Sequence, residues 1–485
     1  MARVSEGPHA FFRLGPAESG KAQCFALQRG EVHRRFDPAN HRPEIREKLV
    51  RLASHETVTL GSITRLCYRY PTFYGFDYQA SGILVLKGEN IGREGDLVVR
   101  EDPSYISEDI HTRFPRTQLE EGDLIVSVRG EVGKVGLIPM ELAGSNINAN
   151  TIRIALHDRV KTEEFLPAFI WLYLNSEVGQ MLIRQFIAGG VQETITAPEL
   201  LEVRIPRFDI GHQRTIVATL DAARSERRAK QAEADELLAG LDNYLLDILD
   251  LNLPPRHEQK VFAVTRGAAP TRFDPHFHLP AFAQNQRMLA TNGGEPLGNI
   301  ATFSKKVWKP EKHDAPTFRY IEISSVDRDT GEAQAVETLV AEAPSRARMA
   351  VHTGDIIVSL TRPHHGSIAQ ITPALDGCVA STGFSVIRNA EESRVLSDYL
   401  WCILRSKMCL TQMLQRASGG NYPAITEPEL AKVLIPIPTM DIQNTIAAEA
   451  RRRRDESRRL RAEADSGWQA AKLWFEEQLL GPVHK

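Results

Sequence analysis

The sequence predicts an α+β protein in which two related domains of mixed strand and helix are joined by two long helices that form an antiparallel coiled coil. Three observations support this prediction. Residues 25–43 and 262–280, compared without a gap, are identical at ten of nineteen positions. Both halves contain short β-branched runs and longer stretches with apolar residues three and four apart. A long, charged stretch with an apolar stripe follows each half.

Length and composition limit the class of protein. The 485 residues, 42% hydrophobic and 25% charged, are enough for several packed domains. No apolar window of membrane-spanning length and no N-terminal secretion signal is present, so we expect a cytoplasmic protein. The net charge of -3 restricts any nucleic-acid surface to a local patch. The cysteines lack even pairing and metal-ligand spacing, and we expect reduced thiols: Cys24, Cys67, Cys378, Cys402 and Cys409.

The repeat continues over most of the chain. A duplicated domain with loop insertions and deletions would keep its landmarks in order while their offset drifts slowly. The offset here falls from 237 to 232 and then to 230 residues: Leu60 to Ile63 with Leu297 to Ile300, Gly122 to Gly130 with Gly354 to Arg362, Gly189 to Pro206 with Gly419 to Pro436, and Gln213 with Gln443.

Each copy has a predicted central strand and a predicted helix. The β-branched runs Leu124 to Val128 and Ile356 to Leu360 predict strands, each preceded by a Gly-Asp turn. The stretches 166–186 and 397–417 have large apolar residues at helical spacing, and each is predicted to form one amphipathic helix. Gly179 lies inside the first of these stretches, where glycine is unfavourable.

Two long helices are predicted between and after the copies. The apolar stripe of residues 209–250 stops before Pro254-Pro255, and that of residues 441–480 stops before Gly481-Pro482. Neither stripe is apolar enough to be buried alone, so antiparallel pairing over about 55 Å is the simplest arrangement. The expected domains are an N-terminal extension (1–24), a first domain (25–206), a central helix (207–253), a second domain (254–438) and a C-terminal helix (439–485).

The duplicated motifs resemble a known family. In order, RFDPxxHxP, LGxI, GD[LI]IVS, GGxxxxITxPEL and IP precede a long helix that contains Gln, and the series occurs twice. From about residue 25 onward, this order resembles the specificity subunit of bacterial type I restriction-modification systems.

The resemblance implies a noncatalytic, cytoplasmic bacterial protein. Each repeat would be a target-recognition domain that reads one half of a split sequence in double-stranded DNA. The helices would set the spacing between the halves and dock two methyltransferase subunits, with a restriction and translocation subunit as a further partner. No cofactor and no membrane contact is expected for this chain. S-adenosylmethionine would belong to the methyltransferase, and ATP and Mg²⁺ to the restriction subunit.

Candidate DNA contacts in the first copy lie in three segments. The loop from residue 128 to 134 combines two glycines, which let backbone N–H groups approach a phosphate, with Arg129 and Lys134. A hairpin turn with surface cations is the alternative. In the turn after residue 189, Gln192 and Thr194 fit the family pattern, and Gln suits bidentate contact with adenine. Cations alternate with aromatic residues after residue 63, which is typical of a groove-facing loop or of half-buried rings beside cations: Arg65, Tyr68, Arg69 and Tyr70.

The second copy departs from this pattern. Its cationic segment contains Lys305, Lys306 and Lys309 beside Trp308. In the loop after the strand, Arg362 is followed by His364 and His365 and no lysine. Adjacent histidines without a nearby Cys, Asp or Glu do not predict a metal site. The Gly-Gly turn has Asn421 and Tyr422, where Asn keeps amide chemistry and Tyr can stack, although a purely structural turn fits equally well.

The long helices and three other segments complete the expectations. The Arg-rich stretch 451–461 predicts a helix face that is solvated or docked on an acidic partner. Gly15 to Ala22 has the spacing of a phosphate-binding loop but lacks the Ser or Thr that meets Mg²⁺, and no apolar strand is expected before it. In each RFDP motif, Arg35 with Asp37 and Arg272 with Asp274 are assigned a structural role. The resemblance implies partner contacts at Gln213, Leu220, Leu237, Leu241, Gln443, Ile446 and Leu460.

Two other functions stay open on the sequence alone. One is a cryptic Mg²⁺-dependent nuclease whose acidic residues converge in three dimensions, which cleavage of DNA by the purified chain would support. The other is a helical protein-binding scaffold in a defence complex, which would bind its partner regardless of added DNA.

Overall fold

The structure is a computed structural model and describes residues 9–16, 22–28, 43–70, 77–187, 193–252, 261–264, 272, 274–389 and 391–481. Two compact units divide the chain. The first unit contains Met1–Arg227 and Asp465–Lys485, and the second contains Arg228–Ala464.

The first unit alternates strands and helices. In chain order they are β1 His9–Pro16, β2 Ala22–Gln28, α1 Pro43–Leu52, β3 Thr57–Thr59, α2 Leu60–Ile63, β4 Thr64–Arg69, β5 Ile83–Leu86, β6 Tyr105–Ile106, α3 Glu108–Arg113, β7 Leu124–Ser127, β8 Val135–Leu137, β9 Asn146–Ile147, β10 Thr151–Leu156, α4 Asp158–Glu163, α5 Pro167–Asn175, α6 Glu177–Arg184, α7 Ala197–Leu200, β11 Arg204–Pro206 and the beginning of α8 Ile210–Ala239.

The second unit has the same plan after the end of α8. Its elements are α9 Leu241–Ile248, α10 Pro280–Thr291, β12 Gly294–Pro296, α11 Leu297–Ile300, β13 Ala301–Phe303, β14 Thr317–Ile321, β15 Val336–Leu339, β16 Ala347–Ala350, β17 Ile356–Ser359, β18 Ile368–Gln370, β19 Val379–Ser381, β20 Phe384–Asn389, α12 Ser397–Leu404, α13 Lys407–Arg416, α14 Glu427–Leu430, β21 Leu434–Pro436 and most of α15 Met440–Leu480.

Both units contain the same antiparallel four-stranded sheet. Its strand order is β4-β10-β7-β8 in the first unit and β13-β20-β17-β18 in the second. Each unit also has a smaller mixed sheet with one parallel pair, β5 with β9 and β14 with β19. A short ladder joins the beginning and the end of each repeat, β3 with β11 and β12 with β21. The matching topology confirms the predicted duplication of a mixed strand and helix fold.

The central strands lie in the core because their side chains are buried on both faces of the sheet. All residues of β7 and β17 are buried. Leu124 and Val126 pack in one apolar cluster with α5 and α6, whereas Ile125 packs in a second cluster, as the period of two in a strand requires. Likewise, Ile357 of β17 packs in a different apolar cluster from Ile356 and Val358. Each buried Leu, Ile or Val contributes about 1.5–3 kcal/mol.

The two predicted amphipathic helices are each broken in the middle, so the prediction of single helices was wrong. The break falls at Ser176 and at Ser406, whose backbones are extended, with ψ of 164° and 152°. Ser176 Oγ accepts a hydrogen bond from Gly179 N at 3.0 Å and caps the new helix. A Cβ on Gly179 would lie 2.0 Å from Tyr173 O, so glycine permits the two helices to approach closely.

The long helices pack side by side in both units and run antiparallel. In the first unit, Arg227 on α8 pairs with Asp465 on α15 at 3.2 Å. In the second unit, Lys230 pairs with Glu463 at 3.2 Å and Asp235 pairs with Arg461 at 2.8 Å, so the partner number falls as the residue number rises. The helix predicted over residues 209–250 is interrupted at Gly240, between α8 and α9. Glycine has the lowest helix propensity after proline.

The N-terminal segment forms a hairpin. Strands β1 and β2 pair antiparallel, with Phe12 opposite Phe25. The expectation that no strand precedes the phosphate-loop-like motif was therefore wrong. The motif is still not a phosphate-binding loop, because such a loop must lead into a helix and this segment leads into β2. Residues 17–21 lie outside the described residues.

The second RFDP motif has the structural role expected for it. Arg272 Nε lies 2.7 Å from Asp274 Oδ2, and Asp274 Oδ1 accepts a hydrogen bond from Phe277 N at 2.9 Å. Arg35 and Asp37 of the first motif lie outside the described residues.

The thiols and the helices add two observations. Cys67, Cys378, Cys402 and Cys409 are free, and burial raises the pKa of Cys402 and of Cys409 to about 12.

Within the described ranges, no helix is both long enough and apolar enough to cross a membrane.

Candidate nucleic-acid interface

The loop after β7 in the first unit is held in shape by its own backbone. Gly133 N donates to Ser127 O at 2.9 Å, and Ser127 Oγ donates to Glu131 O at 2.6 Å. Gly130 and Gly133 have φ of 77° and 91°, values that side chains disfavour. The loop is the hairpin between β7 and β8. Its shape is compatible both with phosphate contact and with the plain turn that the sequence left open.

The two predicted cations of this loop have different surroundings. Arg129 is exposed, and its side chain has no hydrogen bond or ion pair with any residue that the structure describes. Lys134 Nζ lies 3.0 Å from Glu131 Oε2, and its side chain is 16% exposed. Burial, and then the charge of Arg129, lower the pKa of the Arg69 guanidinium. Arg129 and Arg69 therefore form one local cationic patch.

The residues after Ile63 form strand β4 and not the predicted loop. Tyr70, at the end of this strand, is 2% exposed, so the prediction of DNA contact by its ring was wrong. Tyr68 is half-buried, with the Arg116 guanidinium 5.7 Å from its ring centre. Arg65 is exposed and pairs with Glu120 at 3.1 Å. Arg69 donates to Ala149 O at 2.7 Å.

An ion pair to a buried aspartate braces the turn before each central strand, and sequence reasoning missed both pairs. Asp123 is fully buried and lies 2.7 Å from Arg153 Nε. Asp355 is 2% exposed and accepts from Arg388 Nε at 2.7 Å and from Arg388 Nη2 at 2.6 Å. Each aspartate also accepts a backbone N–H of its own turn, at 2.8 and 2.9 Å. The repeated Gly-Asp was the available signal, but the arginines lie 30 and 33 residues away.

In the second unit, the strand-exit loop and the Gly-Gly turn come together. Arg362 lies over the ring of Tyr422, with 4.5 Å between the guanidinium carbon and the ring centre, and donates to Asn421 O at 3.2 Å. Arg362 N donates to Pro423 O at 2.7 Å. Tyr422 is 72% exposed. Three predicted DNA contacts, Arg362, Asn421 and Tyr422, therefore form one surface.

The adjacent histidines lie next to this surface. Their ring centres are 4.5 Å apart, and the rings are nearly perpendicular. Burial lowers the pKa of His364 and of His365, so both rings are neutral at neutral pH. His365 Nδ1 lies 3.1 Å from Arg328 Nη1, and in this pair the guanidinium is the donor. Neutral rings can hydrogen-bond DNA but add no charge to offset a phosphate.

The three predicted lysines of the second unit differ in their partners. Lys305 pairs with Glu427. Lys306 Nζ lies 2.9 Å from His352 Nε2. Lys309 is exposed, and its ammonium group has no partner among the residues that the structure describes. Of these three lysines, Lys309 is therefore the one that can contact a phosphate without breaking an interaction of the described structure.

Gln213 and Gln443 are internal braces, which corrects their assignment as partner contacts. Both side chains are fully buried. Gln213 Oε1 accepts from Leu166 N at 2.9 Å, and its Nε2 donates to Glu164 O at 2.7 Å and to Phe208 O at 2.8 Å. The second unit repeats the arrangement with Leu396 N at 3.0 Å, Arg394 O at 2.8 Å and Pro438 O at 2.9 Å. The repeated Gln was a signal of duplication and marks a structural site.

The remaining predicted positions fall into three groups. Leu220, Ile446 and Leu460 are 1%, 0% and 4% exposed within their own units, which leaves them little area for a partner and corrects that assignment. Leu237 and Leu241 are half-buried, and partner contact there stays a prediction. Thr194 is also half-buried. Gln192 lies outside the described residues.

Among the residues that the structure describes, no cluster of three His, Cys, Asp or Glu side chains could hold a metal ion.

Comparison with known proteins relates part of the second unit to a described domain. Residues 296–449 match the family model described as the type I restriction modification DNA specificity domain. The EcoBI specificity subunit of Escherichia coli is 22% identical over 144 residues, which are 30% of this chain and 29% of that protein. The HindI specificity subunit of Haemophilus influenzae is 30% identical over 109 residues, 22% of this chain and 24% of that protein.

A solved structure is similar over a larger share of both chains. It was determined in a study of the assembly and conformational transition of a type I restriction-modification system, and it covers 88% of this chain and 96% of its own at 18% identity and a TM-score of 0.49. Residues 296–449, which lie in the second unit, are therefore similar to a DNA specificity domain. These matches relate part of this chain to the specificity subunits of type I restriction-modification systems. The matched regions span less than a third of these two curated relatives.

Proposed function

We propose that this chain is a noncatalytic subunit that reads two half-sites in double-stranded DNA and directs methyltransferase and restriction subunits to them. The observation that carries the proposal is the duplication of one fold with different side chains on equivalent loops. Both units have the same sheet, and each has an arginine in the loop after the central strand, which is exposed in the first unit and half-buried in the second. Two domains that share a fold but have different side chains on equivalent loops are suited to recognise two different sequences.

The proposed contacts of the first unit are Arg129 and Arg69, together with Gln192 and Thr194 of the segment that follows Gly189-Gly190 in the sequence. Arg129 is a phosphate or guanine contact, because a guanidinium suits both. The proposed contacts of the second unit are Lys309 and the surface formed by Arg362, Asn421 and Tyr422. Lysine pairs with phosphates, whereas the arginine held against the tyrosine is oriented before DNA arrives.

The proposed partners supply the chemistry. Two methyltransferase subunits would bring S-adenosylmethionine, and a restriction subunit would bring ATP and Mg²⁺. The chain's net charge of -3 is compatible with this division, because the partners would provide much of the nonspecific phosphate binding. Leu237 and Leu241 are the candidate partner contacts that keep some exposed surface.

The test is to co-express the chain with the methyltransferase encoded beside it and to map N6-methyladenine across the host genome by single-molecule sequencing. We expect a split motif that disappears when this chain is omitted. Replacement of residues 60–206 by the corresponding region of a relative should change one half of the motif and leave the other half intact. Methylation that persists unchanged without this chain would rule out the specificity role.

Point variants locate the contacts. Arg129→Ala and Lys309→Ala should weaken DNA binding evenly across sequences and lower the salt dependence by about one counterion each. Arg362→Ala should relax selection within one half-site and cost about 1–3 kcal/mol. Arg159→Ala, which removes a cation that is 82% exposed and pairs with Glu163, is the matched control and should change neither property.

A further inference from the structure

A cavity of about 420 Å³ lies within the second unit, beside α8, α9, α12 and α15. Four arginines line it, Arg328, Arg405, Arg454 and Arg461, and the ring of Trp401 forms part of its wall. Its volume falls within the range of small-molecule sites, about 300–1,000 Å³. None of the proposed DNA contacts lines this cavity, whereas Leu241, a candidate partner contact, does.

The cavity is lined by four arginines and by three aspartates, Asp235, Asp242 and Asp329, so the positive side chains outnumber the negative ones by one. Asp235 is committed to Arg461 at 2.8 Å, and Asp242 accepts from Lys407 N at 2.8 Å. Arg454 has no ion pair or hydrogen bond with any residue in the described ranges, although its neighbours along the helix do. Burial lowers its pKa. A partly buried guanidinium without a carboxylate in direct contact is costly, and a bound anion would relieve that cost.

Arg405 contributes a second cation without a carboxylate. Its Nη1 donates to Ile368 O at 3.1 Å, and its Nη2 donates to Arg328 O at 3.0 Å and to Asp329 O at 2.7 Å. All three acceptors are neutral backbone oxygens. Burial lowers the pKa of Arg405 to about 10, which still leaves it charged at neutral pH.

The first unit shows what the same place looks like without the extra charge. At the offset of 230 residues, Asn175 corresponds to Arg405, and Trp171 corresponds to Trp401. Trp171 Nε1 donates to Gly95 O at 3.1 Å and to Val135 O at 3.0 Å. In the second unit the oxygen of Ile368, which corresponds to Val135 in the sheet, accepts a hydrogen bond from Arg405 instead. Trp401, which is 4% exposed, has a buried Nε1 without a partner among the described residues.

We propose that this cavity binds a small molecule through a phosphate group. Guanidinium groups pair with phosphate oxygens in bidentate geometry, and Arg454 has its terminal nitrogens free for such a pair within the described structure. The indole is already flanked by Arg454 at 4.3 Å and by Arg405 at 5.0 Å. The indole is 4% exposed, which leaves no room for stacking on a base, so the phosphate and not the base is the group recognised.

The test is isothermal titration of the full-length chain with inorganic phosphate, pyrophosphate, ATP and adenosine, each at the same ionic strength. We expect pyrophosphate or ATP to bind and adenosine not to bind. Binding of inorganic phosphate as strongly as ATP would assign the site to the free ion, and stronger binding of ATP would assign it to a nucleotide. Absence of binding by all three phosphates, or equal binding by adenosine, would overturn the proposal.

Two variants locate the site. Arg454→Met should weaken the binding of the phosphate ligand about tenfold or more, the effect of one charge-assisted hydrogen bond. Arg405→Asn installs the residue of the first unit and should also weaken binding while the fold is kept, as judged by circular dichroism. Arg452→Met is the matched control, because Arg452 pairs with Glu449 and does not line the cavity. Equal losses in Arg452→Met and Arg454→Met would show nonspecific attraction and refute the site.

Discussion

Replacement of Gln213 by leucine tests whether this residue is an internal brace. The substitution keeps approximate size but leaves Leu166 N, Glu164 O and Phe208 O without their partner. An unsatisfied buried polar group costs about 1–3 kcal/mol. Because these three backbone groups belong to half-buried residues, water can recover part of the loss. We therefore expect Gln213→Leu to lower the free energy of unfolding by about 2–4 kcal/mol.

The assay combines urea unfolding with hydrogen exchange followed by mass spectrometry. Exchange should accelerate at the Leu166 amide in Gln213→Leu and at the Leu396 amide in Gln443→Leu, and each variant is the control for the other. A loss below about 0.5 kcal/mol with unchanged exchange would refute the hydrogen-bond argument. If Gln213→Leu folded normally but failed to bind a methyltransferase subunit, the partner contact implied by the family resemblance would be correct after all.

Three further predictions concern stability. Gly179→Ala should destabilise the chain by about 1–3 kcal/mol in urea unfolding, because the added methyl group overlaps a backbone oxygen at 2.0 Å, and normal stability would refute this. Asp123→Ala should cost about 3–5 kcal/mol by leaving the Arg153 charge buried and unpaired, and calorimetry would measure it. A hydrogen bond from Arg452 lowers the pKa of Glu449 to about 2, so its stabilisation is present above the ordinary carboxyl pKa and is lost as pH falls toward 2. The difference in melting temperature between the natural chain and Glu449→Gln should therefore shrink on acidification.

The duplication made the broad fold predictable, because two copies of each strand and helix pattern support one another. Local rules did not predict the breaks at Ser176 and Ser406, since an extended serine inside an apolar stretch is stabilised by helix packing that forms only in the folded chain. The burial of Tyr70 was missed for a similar reason. An aromatic residue beside cations has the same sequence pattern whether it faces the core or the solvent.

The strand-exit loops of the two units, which are the proposed DNA contacts, differ in where their arginine lies on the backbone. At the offset of 232 residues, Arg362 corresponds to Gly130, and both are left-handed, with φ of 46° and 77°. That conformation costs a non-glycine residue about 1–2 kcal/mol. The hydrogen bond to Pro423 O and the stack on Tyr422 offset the strain in the second unit.

The guanidinium group therefore leaves the shared backbone one residue later in the second unit than in the first, where Arg129 precedes the glycine. The equivalent loops of the two units thus place their arginines differently. Arg362 is held against an aromatic ring, whereas Arg129 has no hydrogen-bond or ion-pair partner among the described residues. An arginine oriented before binding loses less entropy when it meets a base, whereas an unrestrained one adapts to phosphates. On this reasoning the second unit should depend more on its arginine for base selection, and the first unit more for general affinity.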